Sequence, residues 1–212
     1  MGRSEVILTD TLLAKLFAPT PLATCRLYVE PFKKACAAYH LDTPDLQAAL
    51  LGQMGVETGL LTRMSENLNY RDPARLDALF SAVRGVADAQ ALIRRGPQAI
   101  GARIYAGRLG NGDEASGDGY RFRGAGGLQL TGRTNHSDFG KAIGMTPEMA
   151  ADYCRTPAGA MDSAAWFFAR RGGIAPAKAW DIDGVTRAVN GPAMLEAAKR
   201  RALSDKARGL LK

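Results

Sequence analysis

Two glutamates, Glu57 and Glu66, are the residues of this 212-residue chain whose type and spacing best suit acid–base chemistry. They lie nine positions apart, in the stretches Gly55-Val-Glu-Thr-Gly-Leu60 and Ser65-Glu-Asn-Leu-Asn-Tyr70, across a predicted helix-to-loop junction. Two carboxylates in different surroundings are the minimum equipment for general-acid and general-base cleavage of a glycosidic bond. From spacing alone, the alternative that both are ordinary surface glutamates stays open.

Glu57 is the predicted proton donor, because its helix should bury it in part. Thr43 and Pro44 form a good helix start, and Gly59 is a suitable stop. The last helical turn projects Gln53 and Glu57 from an otherwise apolar face that also carries Leu46 and Leu50. Lost solvation and the negative end of the helix both favour the protonated carboxyl, which a general acid needs.

Glu66 is predicted to lie in a different, wetter setting. It follows Gly59 in a polar run with Asn67 and Asn69, and Arg63 is close in sequence. Hydrogen-bonding neighbours keep a glutamate ionised, so Glu66 suits a base that activates water.

A glycine-rich segment at residues 108–135 contains eight glycines. It matches neither the phosphate-loop pattern nor the dinucleotide-binding pattern, so we interpret it as a long functional loop. The loop leads into a short buried element, Gly127-Leu-Gln-Leu-Thr131. If this element is extended, Gln129 faces away from Leu128 and Leu130.

Taken together, these motifs resemble glycoside hydrolases of family 19, and most closely the compact endolysins of bacteriophages that infect Gram-negative hosts. The resemblance runs from about Phe32 to Gly191. It implies that Glu57 is the catalytic acid, Glu66 the second acidic residue, and Thr131 the hydroxyl that helps to hold the attacking water. It also implies substrate-binding roles for four polar or aromatic side chains: Asn69, Tyr70, Gln129 and Asn135.

The family usually inverts the anomeric centre, and we expect inversion here. Inversion needs a separation of roughly 6.5–9.5 Å between the two carboxyl groups, to leave room for water. The chain departs from the family pattern at Val56, where many relatives have His, at Leu60, where a second Gly is common, and at Gly107. These departures concern contacts with the substrate. Glu66 could act as the base, or could mainly orient water and stabilise charge.

The resemblance implies cleavage of the β-1,4 bond between N-acetylmuramic acid and N-acetylglucosamine in peptidoglycan, and hence bacterial lysis. A chitinase acting on β-1,4-linked N-acetylglucosamine is the alternative, because both substrates contain that sugar. A lytic transglycosylase needs a single catalytic acid, but the second carboxylate and Thr131 favour hydrolysis. The endolysin role also implies synthesis in the host cytoplasm, release through a partner holin and action on periplasmic peptidoglycan. In agreement, Met1 to Phe17 show no signal-peptide pattern.

The expected fold is mainly α and lysozyme-like, with two lobes around a substrate cleft and a small β-hairpin or extended region. We expect residues 1–212 to form a single catalytic domain and a monomer, without a separate wall-binding domain. Strand signal is confined to about Leu61–Tyr70 and the approach to Thr131. The predicted helices are Asp10–Phe17, Pro31–Tyr39, Pro44–Thr58, Pro73–Val83, Val86–Arg95, Pro97–Ala106, Thr134–Ile143, Pro147–Tyr153, Pro157–Arg171 and Pro192–Leu211.

The net charge of +7 and the pI near 9.5 indicate anionic partners. A nucleic-acid-binding protein is the alternative of a different class, but no helix-turn-helix or zinc pattern is present, so we expect no nucleic acid. The densest basic cluster lies in the C-terminal helix: Lys199, Arg200, Arg201, Lys206, Arg208 and Lys212. It is either the solvated face of a docked helix or a surface that attracts anionic outer-membrane lipids or wall polymers.

We expect no metal and no cofactor. His40 and His136 are the only histidines and lack metal-ligand spacing, which argues against a zinc amidase or peptidase. We expect His136 at the surface or capping a helix. No local motif supports a Cys-His nucleophile pair. The three cysteines predict no disulfide framework, and Cys36 is expected in the core.

Overall fold

The computed structural model describes residues 8–212 as a mainly helical protein. The mainly α prediction is confirmed. Residues 1–7, part of the segment that lacks a signal pattern, lie outside the described residues. The helices are α1 (Asp10–Leu16), α2 (Leu22–Ala38), α3 (Pro44–Glu57), α4 (Pro73–Leu79), α5 (Val86–Arg95), α6 (Pro97–Ile104), α7 (Asp118–Arg121), α8 (Arg133–Ile143), α9 (Pro147–Tyr153), α10 (Pro157–Arg170), α11 (Ile174–Lys178), α12 (Ile182–Asn190) and α13 (Ala197–Leu211).

The chain forms two compact units. The first contains residues 8–64, the segment Gly126–Gln129, and Tyr153–Lys212. The second contains Ser65–Ala125 and Leu130–Asp152. Among residues 8–212, none of the helices combines the length and the hydrophobicity needed to span a lipid bilayer.

In the first unit, α3 is the central helix. Its start is as predicted: Pro44 is at the first helical position, and the Thr43 hydroxyl accepts a hydrogen bond from the backbone N–H of Leu46 at 3.3 Å. Helix α13 packs closely on it at Gly52, where an added Cβ atom would lie 1.9 Å from the hydroxyl oxygen of Ser204. The absence of a side chain at Gly52 therefore allows the two helices to approach.

The second unit has its own apolar core, formed by residues of α4, α5 and α6 together with Leu68 and Val83. Helix α7 approaches α6 through a second glycine contact. A Cβ atom at Gly119 would lie 2.2 Å from the carbonyl oxygen of Gly101. This approach places the glycine-rich segment directly against the core of the unit.

Helix α2 begins nine residues earlier than predicted, at Leu22, and Pro31 lies inside it. An interior proline loses one backbone hydrogen bond and costs roughly 3 kcal/mol. Helix α2 buries an apolar face on both sides of the proline, including Cys25, Val29 and Phe32. Burial of these side chains outweighs the cost, so proline was a misleading start signal here.

The C-terminal helix begins at Ala197 and not at Pro192. The preceding turn contains Met194 and Glu196, both with positive φ (45° and 57°), which a continuous helix does not permit. Helices α7, α11 and α12 were not predicted; all three are short, with four, five and nine residues.

The predicted strand regions contain only isolated bridges, between Ser65 and Ala125 and between Ala125 and Leu130. Gln129 has a φ of 50°, so the segment before Thr131 turns and is not extended. The prediction of an extended Gly127–Thr131 element was therefore wrong, although Leu128 and Leu130 are buried as expected. The three cysteines are free and buried, and Cys36 lies in the core as predicted.

Candidate active site

Glu57 is the last residue of α3, and its carboxylate is held by a buried arginine. Nη2 of Arg200 donates a hydrogen bond to Oε1 of Glu57 at 2.6 Å. The Arg200 side chain is 3% exposed and that of Glu57 is 20% exposed, so the carboxylate reaches solvent while its counter-charge does not. Such a charge-assisted bond is strong because little water competes for either group.

A series of hydrogen bonds between buried polar groups holds the Arg200 side chain in place. Its Nη1 donates to Oε1 of Gln53 at 3.0 Å, and its Nε donates to the carbonyl oxygen of Leu195 at 2.9 Å. Nε2 of Gln53 in turn donates to the hydroxyl of Thr186 at 3.2 Å. Gln53 and Thr186 are completely buried. The predicted projection of Gln53 beside Glu57 is confirmed, and its role is to orient the arginine.

The contact with the guanidinium of Arg200 gives Glu57 a charged partner that the sequence did not predict. The role of Glu57 as the proton donor stays a prediction.

The basic cluster of α13 is mostly engaged within the protein. Arg201 pairs with Asp183 at 2.5 Å, and Arg208 pairs with Asp45 at 2.7 Å through two nitrogens. Arg200 and Lys199 each pair with a carboxylate, and Lys206 donates a hydrogen bond to a backbone carbonyl oxygen. These contacts support the docked-helix alternative. Attraction to anionic polymers stays a prediction.

In the second unit, Glu66 accepts hydrogen bonds from a tyrosine and from the backbone. The Tyr105 hydroxyl lies 2.9 Å from Oε1 and 3.1 Å from Oε2, and the N–H of Gly124 donates to Oε2 at 3.2 Å. The backbone N–H of Glu66 also donates to the carbonyl oxygen of Gly124 at 2.8 Å. Glu66 is half-buried. The hydrogen-bonded setting was predicted, but these donors differ from the predicted asparagines and arginine.

Burial, and then the negative charge of Glu66, raise the pKa of Tyr105 well above its usual range. The phenol therefore stays protonated and remains a donor at any pH at which the protein works. The Glu66 carboxylate accepts one bond from this phenol and one from the N–H of Gly124, so it is held in one orientation. A fixed orientation suits a group that must position water.

The glycine-rich segment fixes Tyr105 through Asn111. Nδ2 of Asn111 donates to the carbonyl oxygen of Tyr105 at 3.0 Å, and its Oδ1 accepts from the backbone N–H of Arg133 at 2.9 Å. Arg133 also forms two 2.8 Å bonds to the carboxylate of Asp118 and one of 2.9 Å to Glu148. The bonded Arg133 guanidinium lowers the pKa of Asp118. The long loop is thus ordered by a charged network.

Thr131 and Asn135 lie together at the start of α8. Nδ2 of Asn135 donates to the backbone carbonyl oxygen of Thr131 at 2.7 Å. Both residues are half-buried. In the first unit, Nε2 of Gln129 donates to the carbonyl oxygens of Gly126 and Arg63, at 3.0 and 3.3 Å. These two hydrogen bonds hold the Gln129 side chain against the backbone.

Asn69 and Tyr70 differ in their surroundings. Asn69 is exposed and donates from its backbone and side chain to Oδ1 of Asn67, at 2.9 and 2.8 Å. Tyr70 packs edge-to-face on Phe80, with 5.8 Å between ring centroids. His136 is fully buried, with Nδ1 2.9 Å from the carbonyl oxygen of Gly132, so the expectation of a surface position was wrong.

Glu57 and Gln129 therefore belong to the first unit, and Glu66, Thr131, Asn135, Asn69 and Tyr70 to the second. Their catalytic and substrate-binding roles stay predictions. The contacts add two residues that the sequence did not reveal, Arg200 and Tyr105. No group of three or more potential metal ligands is clustered in the portion of the chain that the structure describes.

Comparison with known proteins gives a relative in Haemophilus influenzae, a "glycosyl hydrolase family 19 domain-containing protein". It is 43% identical over 98 residues, which cover 46% of this chain and 48% of the relative. The matched half of this chain is therefore similar to a family 19 glycoside hydrolase protein. It spans about half the length of this relative. No family model matches the chain.

Solved structures of family 19 share the fold of this chain. Chitinase C from Streptomyces griseus has a TM-score of 0.60 at 16% identity, and covers 100% of this chain and 95% of its own. A class IV chitinase from Zea mays has a TM-score of 0.56 at 16% identity, over 95% and 92% of the two chains. The expected lysozyme-like fold of family 19 is thereby confirmed.

Proposed function

We propose that this chain is an endolysin-type muramidase, which hydrolyses the β-1,4 bond between N-acetylmuramic acid and N-acetylglucosamine in peptidoglycan. The observation that carries the proposal is the position of Glu57 in a chain that resembles family 19. It is a partly exposed carboxylate at the end of a buried helix, with a buried arginine as its counter-charge. The motifs of residues 55–70 and 108–135, which resemble the endolysin branch, direct the proposal to peptidoglycan.

In the proposed reaction, the protonated form of Glu57 donates its proton to the departing sugar oxygen. Arg200 stabilises the carboxylate that forms, so its interaction with Glu57 is stronger after proton transfer than before it. Differential stabilisation of this kind lowers the barrier. Glu66, oriented by Tyr105, activates the attacking water as the base, and the hydroxyl of Thr131 helps to hold that water. The reaction inverts the anomeric centre.

The endolysin role also includes a place and a partner. The protein would be made in the host cytoplasm, pass to the periplasm through a holin, and lyse the cell by cutting glycan strands there. It would act as a monomer.

A chitinase is the second candidate function. The fold similarity to structures described as chitinases favours it. Both candidates use the same acid–base chemistry and differ in the glycan bound.

Mass spectrometry of the products tests the proposal, with purified peptidoglycan and chitin as parallel substrates. We expect new reducing-end muramic acid from peptidoglycan. Products with 1,6-anhydro ends would indicate transglycosylation, and release of oligomers from chitin alone would favour the chitinase. Proton NMR of the first-formed anomer measures the stereochemistry, and the α-anomer from a β-linked substrate is the inverting result.

A further inference from the structure

A cavity of about 410 Å³ lies beside the end of α3, within the first unit. Its walls are largely apolar: Val56 and Leu60 come from the end of α3 and the turn after it, and Ala202 and Leu203 come from α13. Cavities of roughly 300–1,000 Å³ with an apolar lining and a few polar groups are typical of small-ligand sites.

The polar lining of this cavity is basic. Arg63, Lys199 and Glu196 contribute two positive charges and one negative charge. Lys199 pairs with Glu196 on an exposed edge, where the side chains are 71% and 47% exposed. Arg63 is exposed, and no carboxylate in the described residues lies within 4 Å of its guanidinium. The guanidinium covers Gly59, since a Cβ atom there would lie 2.8 Å from Nη2 of Arg63. An anionic ligand would therefore find an available cation at this cavity.

The cavity also lies alongside the Glu57–Arg200 ion pair. Val56 directly precedes Glu57 and lines the cavity, and Lys199 directly precedes Arg200 and lines it as well. A group bound in this cavity would therefore contact residues one position away from each member of the ion pair, although neither Glu57 nor Arg200 itself lines the cavity.

We propose that this cavity binds the acidic peptide stem of peptidoglycan; this inference rests on the proposed function and names the part of the substrate that the site selects. The stem of Gram-negative peptidoglycan carries free carboxylates on D-glutamate and diaminopimelate, next to alanine methyl groups. The guanidinium of Arg63 matches a carboxylate by paired hydrogen bonds, and the methyl groups match Leu60 and Leu203. Chitin has no charged substituent. The cavity thus favours a peptide-bearing glycan over chitin.

Binding of the soluble stem tripeptide, L-alanyl-D-glutamyl-diaminopimelate, tests this assignment without any turnover. In ¹⁵N-labelled wild-type protein, we expect the amide signals of Gly55 and Gly59 to shift on titration with the tripeptide. Arg63→Gln should weaken the binding by about tenfold, the effect of losing one charge-assisted contact. Lys34→Gln, which removes one exposed charge from α2, should bind as the wild type does. Absence of shifts at these glycines, or equal affinity in Arg63→Gln and the wild type, would overturn the proposal.

Kinetics on two forms of one substrate provide the second test. Arg63→Gln should lower kcat/KM by about tenfold on peptide-bearing sacculi and by less than about twofold on sacculi stripped of peptides by an amidase. An equal loss on both forms would contradict a peptide subsite. If wild-type protein cleaves neither form, the proposed function fails, and the tripeptide titration still decides whether the cavity binds an acidic peptide.

Discussion

Arg200 and Glu57 form an ion pair of 2.6 Å in which the arginine is almost completely buried and the glutamate is not. The pair joins α13 to the end of α3, across 143 positions of the sequence. Under the proposed mechanism, the Glu57 carboxyl must reach the substrate, and a counter-charge that is excluded from water interacts with it more strongly. The asymmetry of burial satisfies both needs.

Removal of the arginine should destabilise the fold. We expect Arg200→Leu to reduce the free energy of unfolding by about 3 kcal/mol, because Gln53 and Glu57 lose their shared donor in a buried site. Urea denaturation measures the change. Arg201→Leu is the matched control: it breaks an exposed pair, with the arginine 52% exposed, and should leave the free energy of unfolding nearly unchanged. Equal losses in the two variants would contradict the structural role of Arg200.

Loss of the Tyr105 hydroxyl should reduce turnover more than stability. Within residues 8–212, Tyr105 is the side chain that donates to Glu66, so for Tyr105→Phe we expect kcat to fall about tenfold and the free energy of unfolding to fall by about 1 kcal/mol. Steady-state kinetics and urea denaturation measure the two effects. Tyr28→Phe, at a buried tyrosine of α2, should leave kcat unchanged. Unchanged kcat in Tyr105→Phe would contradict the assignment of Glu66 as a positioned base.

Stability should fall at alkaline pH. Burial is the main reason that the pKa values of five tyrosines are raised: Tyr28, Tyr39, Tyr70, Tyr105 and Tyr153. A raised pKa in the folded state gives stability that is complete below the unfolded pKa of about 10 and is lost as pH rises beyond it. Urea denaturation between about pH 8 and pH 11 should show this decline. The Tyr105→Phe variant should show a shallower decline, and an identical slope would contradict the contribution of Tyr105.

The contact between α3 and α13 should not tolerate a methyl group at Gly52. We expect Gly52→Ala to reduce the free energy of unfolding by about 1–3 kcal/mol, because the new Cβ atom meets the Ser204 side chain and backbone. Gly209→Ala is the matched control on α13. No atom lies within 4 Å of its added Cβ, so it should stabilise the helix by about 0.5–1 kcal/mol. Opposite signs in thermal unfolding support the close approach; destabilisation by both changes to the same extent would argue against it.

The sequence predicts most of what depends on local signals. The start of α3 at Pro44 follows from the Thr43 cap, and its end from the residue pattern at Gly59, so the position of Glu57 could be anticipated. The α2 start could not be anticipated, because tertiary burial on both sides of Pro31 overrides a local helix-breaking residue.

The partners of the two glutamates depend on distant parts of the chain, and this is why sequence reasoning missed them. Arg200 was grouped with the basic residues of a solvated face. A signal was nevertheless present: Arg200 shares one face of α13 with the small residues Ser204 and Ala207, at steps of four and three, and all three are buried. For Tyr105, no local pattern points to Glu66, which lies 39 positions away.

Activity of the Glu57→Gln variant is the most direct measure of the central claim, that Glu57 donates the proton. The amide keeps an oxygen that can accept from Arg200 but has no proton to give. We predict that turnover of peptidoglycan falls by about 10²- to 10⁴-fold, while circular dichroism shows a folded protein at the assay temperature. Wild-type turnover by the folded variant would contradict the account.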